Sequence, residues 1–417
     1  MTTAATTDHR GRPRVAVTGM GVKSPAGLTV DALWDGLLAA RGAAAPVTSF
    51  DATDHTVGFA CEVRDFDPVP YVGPKEVRRT DRAALLGIAA AADAVAAAEA
   101  DAPLGADPLR CGVVAGSGIG GIRTLEDQVI SYAARGPSKV GPFLVPMMMA
   151  NATAALVGIR HGFTGPNIAV ATACATGAHA IGEGARYVRD GMADVIVAGG
   201  TEACITPVTM AAFARMGALS KNPDPAVASR PFDDDRDGFV MGEGAAFLVL
   251  EPWDRAVARG ARILGEVAGY GMTCDAHHIT APIESGAGAV AAIELALADA
   301  GLAPSAIGHV NAHGTSTPHN DSAEAAAIAK VFGAGSLPVT SAKGVTGHLI
   351  GAAGAVEAVA ALVSADRGIV PPTANHQRTD LPVDVVAGEA RTIERSPAVS
   401  TSFAFGGHNV ALVLSPA

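Results

Sequence analysis

One cysteine and two histidines stand out for the residues around them. Cys174 lies in Thr172-Ala-Cys-Ala-Thr-Gly177, after the apolar run Ile168 to Ala171 and before a small-residue run from Ala175 to Tyr187. The first run reads as a buried strand and the second as a helix, which puts Cys174 at a strand-to-helix elbow. Backbone N–H groups and the positive end of the helix dipole gather there and favour a thiolate. The Ala, Thr and Gly neighbours add little bulk over the sulfur. These residues fit a nucleophile as well as they fit a buried free cysteine acting as a small hydrophobe.

His313 sits in Asn311-Ala-His-Gly-Thr-Ser-Thr-Pro318, at a strand end before a hydroxyl-rich turn. His348 sits in Val345-Thr-Gly-His-Leu-Ile-Gly-Ala-Ala-Gly354, at the start of an Ala/Gly helix, with Lys343 shortly before it. The chain has 12 histidines, and any one alone is ordinarily a satisfied structural residue. These two share a chain reversal and small neighbours, where an imidazole can face a cleft. Phe403 and Phe405 flank Ala404 before Gly406-Gly407. They read either as the core rings of a hairpin or as an aromatic gate with backbone N–H groups aimed at the cleft.

The elements that must position these residues follow a repeating order. Strands are expected at Val15 to Thr18, Arg110 to Ala115, Asp194 to Gly200 (with Glu202 just after) and Gly242 to Leu250. A buried, Ala-rich helix is expected from Arg82 to Glu99, and a short helix from Asp31 to Ala40. After Glu251 to Gly260 the alternation restarts with a strand at Ile263 to Gly271, a helix at Gly288 to Ala300 and a strand at His309 to Ala312. Helices then follow at Ser322 to Phe332 and Gly351 to Asp366. The pattern suggests a duplicated architecture without a residue-level repeat. Met1 to Pro13 reads as a disordered tail. Pro231 to Gly238 reads as a solvated charged loop, since a calcium loop would need a terminal Glu at the right spacing. Met147 to Met149 read as core rather than as an adaptable surface. Gly116-Ser-Gly-Ile-Gly-Gly121 has the literal dinucleotide spacing but no acidic residue about 20 positions on, so a loop needing close backbone approach is expected.

Composition bounds the class. The 417 residues are 49% hydrophobic and only 4% aromatic, with 49 glycines, which suits a layered α/β core of small side chains. Five irregularly spaced cysteines argue for a reducing compartment. No signal peptide or membrane span is read, so a cytoplasmic protein is expected. A net charge of −11 disfavours a nucleic-acid binder and requires a local basic patch for any acidic partner.

The motifs around Cys174, His313 and His348, together with Phe-Ala-Phe-Gly-Gly-His-Asn409 and Arg230-Pro-Phe-Asp through Phe239, resemble the elongating β-ketoacyl-[acyl-carrier-protein] synthases. The likeness runs from about Arg14 to the C-terminus. It implies the thiolase fold, two similar α/β halves with the active site between them, here 14–257 and 258–417. It also implies a decarboxylative condensation on acyl chains carried by the phosphopantetheine arm of acyl carrier protein, with no cofactor or metal of its own. Cys174 would be the nucleophile, and the N–H groups of Cys174 and Phe405 the oxyanion hole. His313 and His348 would be neutral donors to an enolate, and Lys343 an orienting residue beside Asp321 and Glu324. Thr315 and Thr317 would grip pantetheine. Ile119, Phe239, Phe403 and Phe405 would border the acyl site. Lys75, Arg78, Arg79, Lys139 and Arg215 would greet the acidic carrier protein.

Several neighbours of that family fit less well. Thiolases need a late second catalytic cysteine, and no cysteine follows His313. Initiating synthases carry Asn where His348 stands, and a non-catalytic chain-length partner would lack the nucleophile. A zinc site from Cys274, His277 and His278 lacks a fourth ligand. The pathway stays open at this point. Asn320-Asp321 is similar to polyketide ketosynthases, whereas Thr-Ser-Thr-Pro318 and the segment ending at Glu357 look like fatty-acid enzymes. A fatty-acid enzyme would be a homodimer; a polyketide subunit would pair with a chain-length-factor-like partner. A scaffold or binding protein that kept the fold is the alternative of another class.

Overall fold

The computed structural model describes residues 5–417. Eleven strands share one sheet: β1 (Val15–Lys23), β2 (Cys111–Gly116), β3 (Asn167–Val170), β4 (Val195–Glu202), β5 (Gly244–Pro252), β6 (Gly265–Cys274), β7 (His309–Asn311), β8 (Pro338–Thr340), β9 (Asp384–Val385), β10 (Ala398–Ala404) and β11 (His408–Ser415). Their spatial order is β9-β8-β7-β10-β11-β6-β1-β5-β4-β2-β3. From the central β6–β1 pair outward, both directions show the same signs. β1–β5 and β5–β4 are antiparallel, then β4–β2 and β2–β3 are parallel. β6–β11 and β11–β10 are antiparallel, then β10–β7 and β7–β8 are parallel. The architecture is duplicated, as the alternation of elements suggests.

The main helices are α1 (Arg82–Glu99), α2 (Thr176–Arg189), α3 (Ala287–Ala300), α4 (Pro318–Phe332) and α5 (Ala353–Arg367). Helix α1 lies on β1, and α3 lies on β6. Helices α2 and α5 pack against each other and against strands of both halves, forming the buried middle layer. Asp81 caps α1 by accepting from Ala83 N at 2.9 Å. Small side chains set the helix–strand spacing: a Cβ on Gly19 would stand 2.0 Å from Ala94 O, and one on Gly269 would stand 2.2 Å from Ala296 O. The two positions are equivalent, in Val17-Thr-Gly-Met-Gly21 and Val267-Ala-Gly-Tyr-Gly271. A residue-level repeat therefore exists, contrary to the sequence reading. It includes the glycines that let a helix backbone touch a strand, and Gly177 and Gly354, which let α2 and α5 touch each other.

Other expectations also need correction. Residues 5–13 are not a loose tail. Thr7 bridges to Pro13, Arg12 pairs with Asp8 and Asp299, and Arg10 donates to Ala298 O at the end of α3; residues 1–4 lie outside the described range. Strand β3 is not buried. It is the last strand of the sheet, its outer side has no neighbouring strand among the described residues, and Ile168 is exposed. The Pro231 to Gly238 segment is solvated only at Asp234, Asp235 and Asp237. Phe232 and Asp233 are buried, because Asp321 accepts from Phe232 N and Asp233 accepts from Gln377 N and Arg378 N. None of Met147 to Met149 is buried. Helix α4 starts earlier than expected, with Pro318 in its first turn. Among the described residues no helix is long and apolar enough to cross a membrane.

Candidate active site

Cys174 lies in a single 3₁₀ turn, Ala173–Ala175, between the edge strand β3 and α2. Ala173 holds a left-handed φ of 48°, so the chain reverses sharply onto the N-terminus of α2. The thiol is buried in an apolar cluster with Ile205, Met210, Phe239 and Ile350. His348 Nε2 stands 3.0 Å from Cys174 Sγ. Nδ1 of the same ring accepts from Ile350 N at 3.3 Å. That bond assigns the proton to Nε2, directed at the sulfur.

The His313 ring lies 5.3 Å from that of His348 and nearly perpendicular to it. Lys343 Nζ approaches His313 Nδ1 at 3.2 Å and its carbonyl oxygen at 2.6 Å. An ammonium can only donate, so Nδ1 accepts and Nε2 again carries the proton. Burial, with Lys343 adding to it, holds both imidazoles well below the usual histidine range, so both are neutral. The backbone of this turn is fixed from below. Glu324 accepts from His313 N at 2.8 Å, Gly314 N at 2.7 Å and Thr401 Oγ1 at 2.7 Å. Asp321 accepts from Phe232 N at 2.8 Å and Ser316 N at 3.1 Å.

Burial pushes the Cys174 thiol up to about 12, with Lys343 opposing the shift and Glu202 and Glu357 adding to it. Burial thus opposes the thiolate that the N-terminus of α2 favours. The sulfur faces the His348 Nε2 donor.

The remaining residues fall into place unequally. Phe239 lies edge-on to His348 at 5.1 Å, and Phe403 lies 6.0 Å from His313. Phe405 is at the tip of the β10–β11 hairpin, half-exposed, and Ala404 before it packs on the Cys174 cluster. Ile119 is exposed on the Gly116–Gly121 loop. The close approach expected of that loop is real, since a Cβ on Gly118 would stand 2.8 Å from Glu202 Oε2. Thr315 Oγ1 and Thr317 Oγ1 share a hydrogen bond of 2.8 Å. Lys75, Arg78, Arg79 and Lys139 are exposed. The Arg79 guanidinium lies 4.8 Å over the Phe143 ring, which brings the end of the segment Val69–Val77, broken at Gly73, beside the segment carrying Lys139. Arg215 is exposed on a separate helix, Pro207–Met216.

Two acids escaped the sequence reading. Glu357, on α5, is the buried ion-pair partner of Lys343. Glu202, at the end of β4, accepts from Ser117 Oγ, Gly118 N and Gly351 N. Burial pushes both up to about 7. Each is an isolated acid in an apolar stretch, and that was the available signal. Among the described residues no group of three or more His, Cys, Asp or Glu is placed to hold a metal ion.

The chain is similar to 3-oxoacyl-[acyl-carrier-protein] synthase 2 of Synechocystis sp., 47% identical over 96% of this chain and 97% of that protein. Among solved structures, the ishigamide ketosynthase/chain length factor superposes with a TM-score of 0.90 at 36% identity, covering 97% of this chain and all of that one. A type II polyketide ketosynthase solved in complex with its acyl-carrier protein superposes with a TM-score of 0.89 at 28% identity, over 97% of this chain and all of that one. The model of the β-ketoacyl synthase N-terminal domain matches residues 12–256, and that of its C-terminal domain matches 264–377. Two domain matches in tandem, carried by a fold that superposes over nearly its whole length, mean that the chain belongs to the β-ketoacyl synthase family.

Proposed function

We propose that Cys174 is the nucleophile of a decarboxylative Claisen condensation joining a Cys-bound acyl chain to malonyl-acyl carrier protein. The observation that carries the assignment is the pair of neutral, Nε2-protonated imidazoles, one of them 3.0 Å from the sulfur. His348 already carries its Nε2 proton, so it serves as a donor to sulfur and not as a base. In the first half-reaction Cys174 sulfur bonds to the acyl carbon, the pantetheine sulfur departs, and the thiol proton leaves with it. Malonyl carrier protein then binds and the C–C bond to its carboxylate breaks. Carbon dioxide leaves, and the electron pair moves to the thioester oxygen as an enolate. His313 and His348 donate to that oxygen, where a donor is worth about a hundredfold in rate or more. The enolate carbon attacks the acyl-Cys174 thioester, the N–H groups of Cys174 and Phe405 hold the tetrahedral oxyanion, and the Cys174 thiolate is expelled.

Lys343 orients His313, Thr315 and Thr317 hold the pantetheine amides, and Ile119, Phe239 and Phe403 border the acyl site. The residue roles and the division into halves 14–257 and 258–417 belong to the same proposal. So do a cytoplasmic setting and delivery of substrates on the phosphopantetheine arm of acyl carrier protein. Lys75, Arg78, Arg79, Lys139 and Arg215 form the docking face for that carrier. A second subunit covers the open edge of β3 and the exposed Ile159 on the helix packed beside it, together with the exposed Val129, Ile130 and Tyr132 of the helix Ile122–Arg135. A homodimer in fatty-acid elongation is the first reading, in line with relatives named 3-oxoacyl-[acyl-carrier-protein] synthase 2. A heterodimer with a chain-length factor is the second, favoured by likeness to ketosynthase/chain-length-factor pairs.

Mass spectrometry of the purified chain after exposure to acyl-carrier proteins of graded chain length tests the assignment. Acyl mass on the Cys174 peptide, followed by elongation with malonyl carrier protein, is expected. Both are lost in Cys174→Ala, and both weaken when Arg78 and Arg79 are reversed to Glu. Activity only with a co-expressed partner selects the heterodimer. No acyl mass with any carrier means a scaffold and overturns the proposal.

A further inference from the structure

The proton on His348 Nε2 depends on one backbone bond, Ile350 N to Nδ1. Ile350 itself holds φ 48°, a left-handed conformation that is a genuine outlier for a β-branched residue and is strained. Something must hold it there. The next residue, Gly351, donates from N to Glu202 Oε2 at 3.1 Å, and the same oxygen accepts from Gly118 N at 2.8 Å. Glu202 Oε1 accepts from Ser117 Oγ at 2.7 Å, and that hydroxyl oxygen in turn accepts from Gly120 N at 2.8 Å. The two loops meet at backbone contact, since a Cβ on Gly351 would lie 2.4 Å from Gly118 N. Glu202 is fully buried, and the condensation proposed above gives it no task.

We propose that Glu202 is a positioning residue: by binding Gly118 N and Gly351 N with one oxygen, it holds Ile350 in its left-handed conformation and so keeps the His348 tautomer whose Nε2–H faces Cys174. The carboxylate also ties this tautomer to the loop bearing Ile119. A disturbance of that loop is therefore felt at the sulfur, although neither Ser117 nor Ile119 hydrogen-bonds to His348. The inference rests on the assignment of His348 as donor to Cys174, but its test needs no carrier protein.

The test uses the full-length chain labelled with ¹⁵N-histidine, comparing wild type, Glu202→Gln, Glu202→Ala and Ser117→Ala. Nitrogen shifts of His348 report its tautomer, and iodoacetamide reports the reactivity of Cys174. Wild type is expected to show Nε2–H alone. Glu202→Ala is expected to show mixed tautomers and alkylation slowed about tenfold, the scale of one charge-assisted hydrogen bond. Glu202→Gln keeps an acceptor oxygen and falls between, and Ser117→Ala shifts the tautomer in the same direction. Adding Ile350→Gly to Glu202→Gln removes the strain that the clamp opposes, and is expected to restore part of the Nε2–H signal. Unchanged His348 shifts in folded Glu202→Gln and Ser117→Ala overturn the proposal, even if turnover falls. A tautomer shift in a chain that elongates nothing would instead sink the condensation and leave the clamp standing.

Discussion

Lys343 is the residue on which the polar side of the site turns. Its ammonium meets His313 Nδ1, the His313 carbonyl and Glu357, all in the interior. Lys343→Met leaves Glu357 buried without a partner, and about 3 kcal/mol of stability should be lost. Adding Glu357→Leu removes the stranded acid and should return most of that loss in urea unfolding. Carbon dioxide release from malonyl carrier protein should stay slow in the double variant, because His313 Nδ1 has lost the donor that fixes its tautomer. Recovery of decarboxylation along with stability would mean that Lys343 orients nothing. The comparison separates two jobs of one side chain, neutralising an acid and setting a ring.

Among the elements, edge strand β3 makes the sharpest prediction. Its outer edge has no neighbouring strand among the described residues, and Ile168 is exposed. Ile168→Lys places a charge where an added strand would pair, so it should weaken self-association about a hundredfold or more in sedimentation while leaving the urea midpoint of the isolated chain nearly unchanged. An unaltered sedimentation profile would show that β3 is not the contact. This strand also marks where sequence reading fell short. Its apolar residues looked like those of any buried strand, because the position of a strand in the sheet order leaves no mark on its residue types. Helix α1 was legible to the residue, since its run of small side chains is a local signal. The cysteine and both histidines were legible from glycine-framed motifs. The partners that hold them were not: Glu202 and Thr401 lie far away in sequence, and Glu357, 14 residues after Lys343, meets it only through the turn that leads onto α5. The buried side of the Pro231 to Gly238 loop was hidden for the same reason, because its stabilising acceptor, Asp321, is on α4.

At the scale of the whole molecule, burial of titratable groups sets the response to pH. His309 is fully buried with neither ring nitrogen partnered among the described residues, and burial pushes it down to about 4. A histidine depressed below its ordinary 6.5 loses stability as pH falls, because the unfolded chain takes the proton first. At pH 5 the cost is about 2 kcal/mol relative to neutral pH. Glu202, Glu324 and Glu357, all raised to about 7, act in the opposite sense and lose stability as pH rises from 4.5 to 7. His309→Phe isolates the first effect. Urea unfolding should show the variant gaining about 2 kcal/mol more over wild type at pH 5 than at pH 7.5. Equal gains at both values would mean that the ring does not stay neutral in the folded chain.

Strands β10 and β11 come last in the chain yet stand inside the sheet, between β7 and β6. During synthesis β7 and β6 emerge first and must wait, with apolar flanks uncovered, until residues 398–415 leave the ribosome. The other half waits in the same way for β5, which enters between β1 and β4, but it is closed by Pro252, while the second half is still being made. Newborn chains are therefore exposed to chaperones and proteases mainly through their second half. A lesion in the final hairpin should reach the cell as poor yield before it is ever seen as poor catalysis.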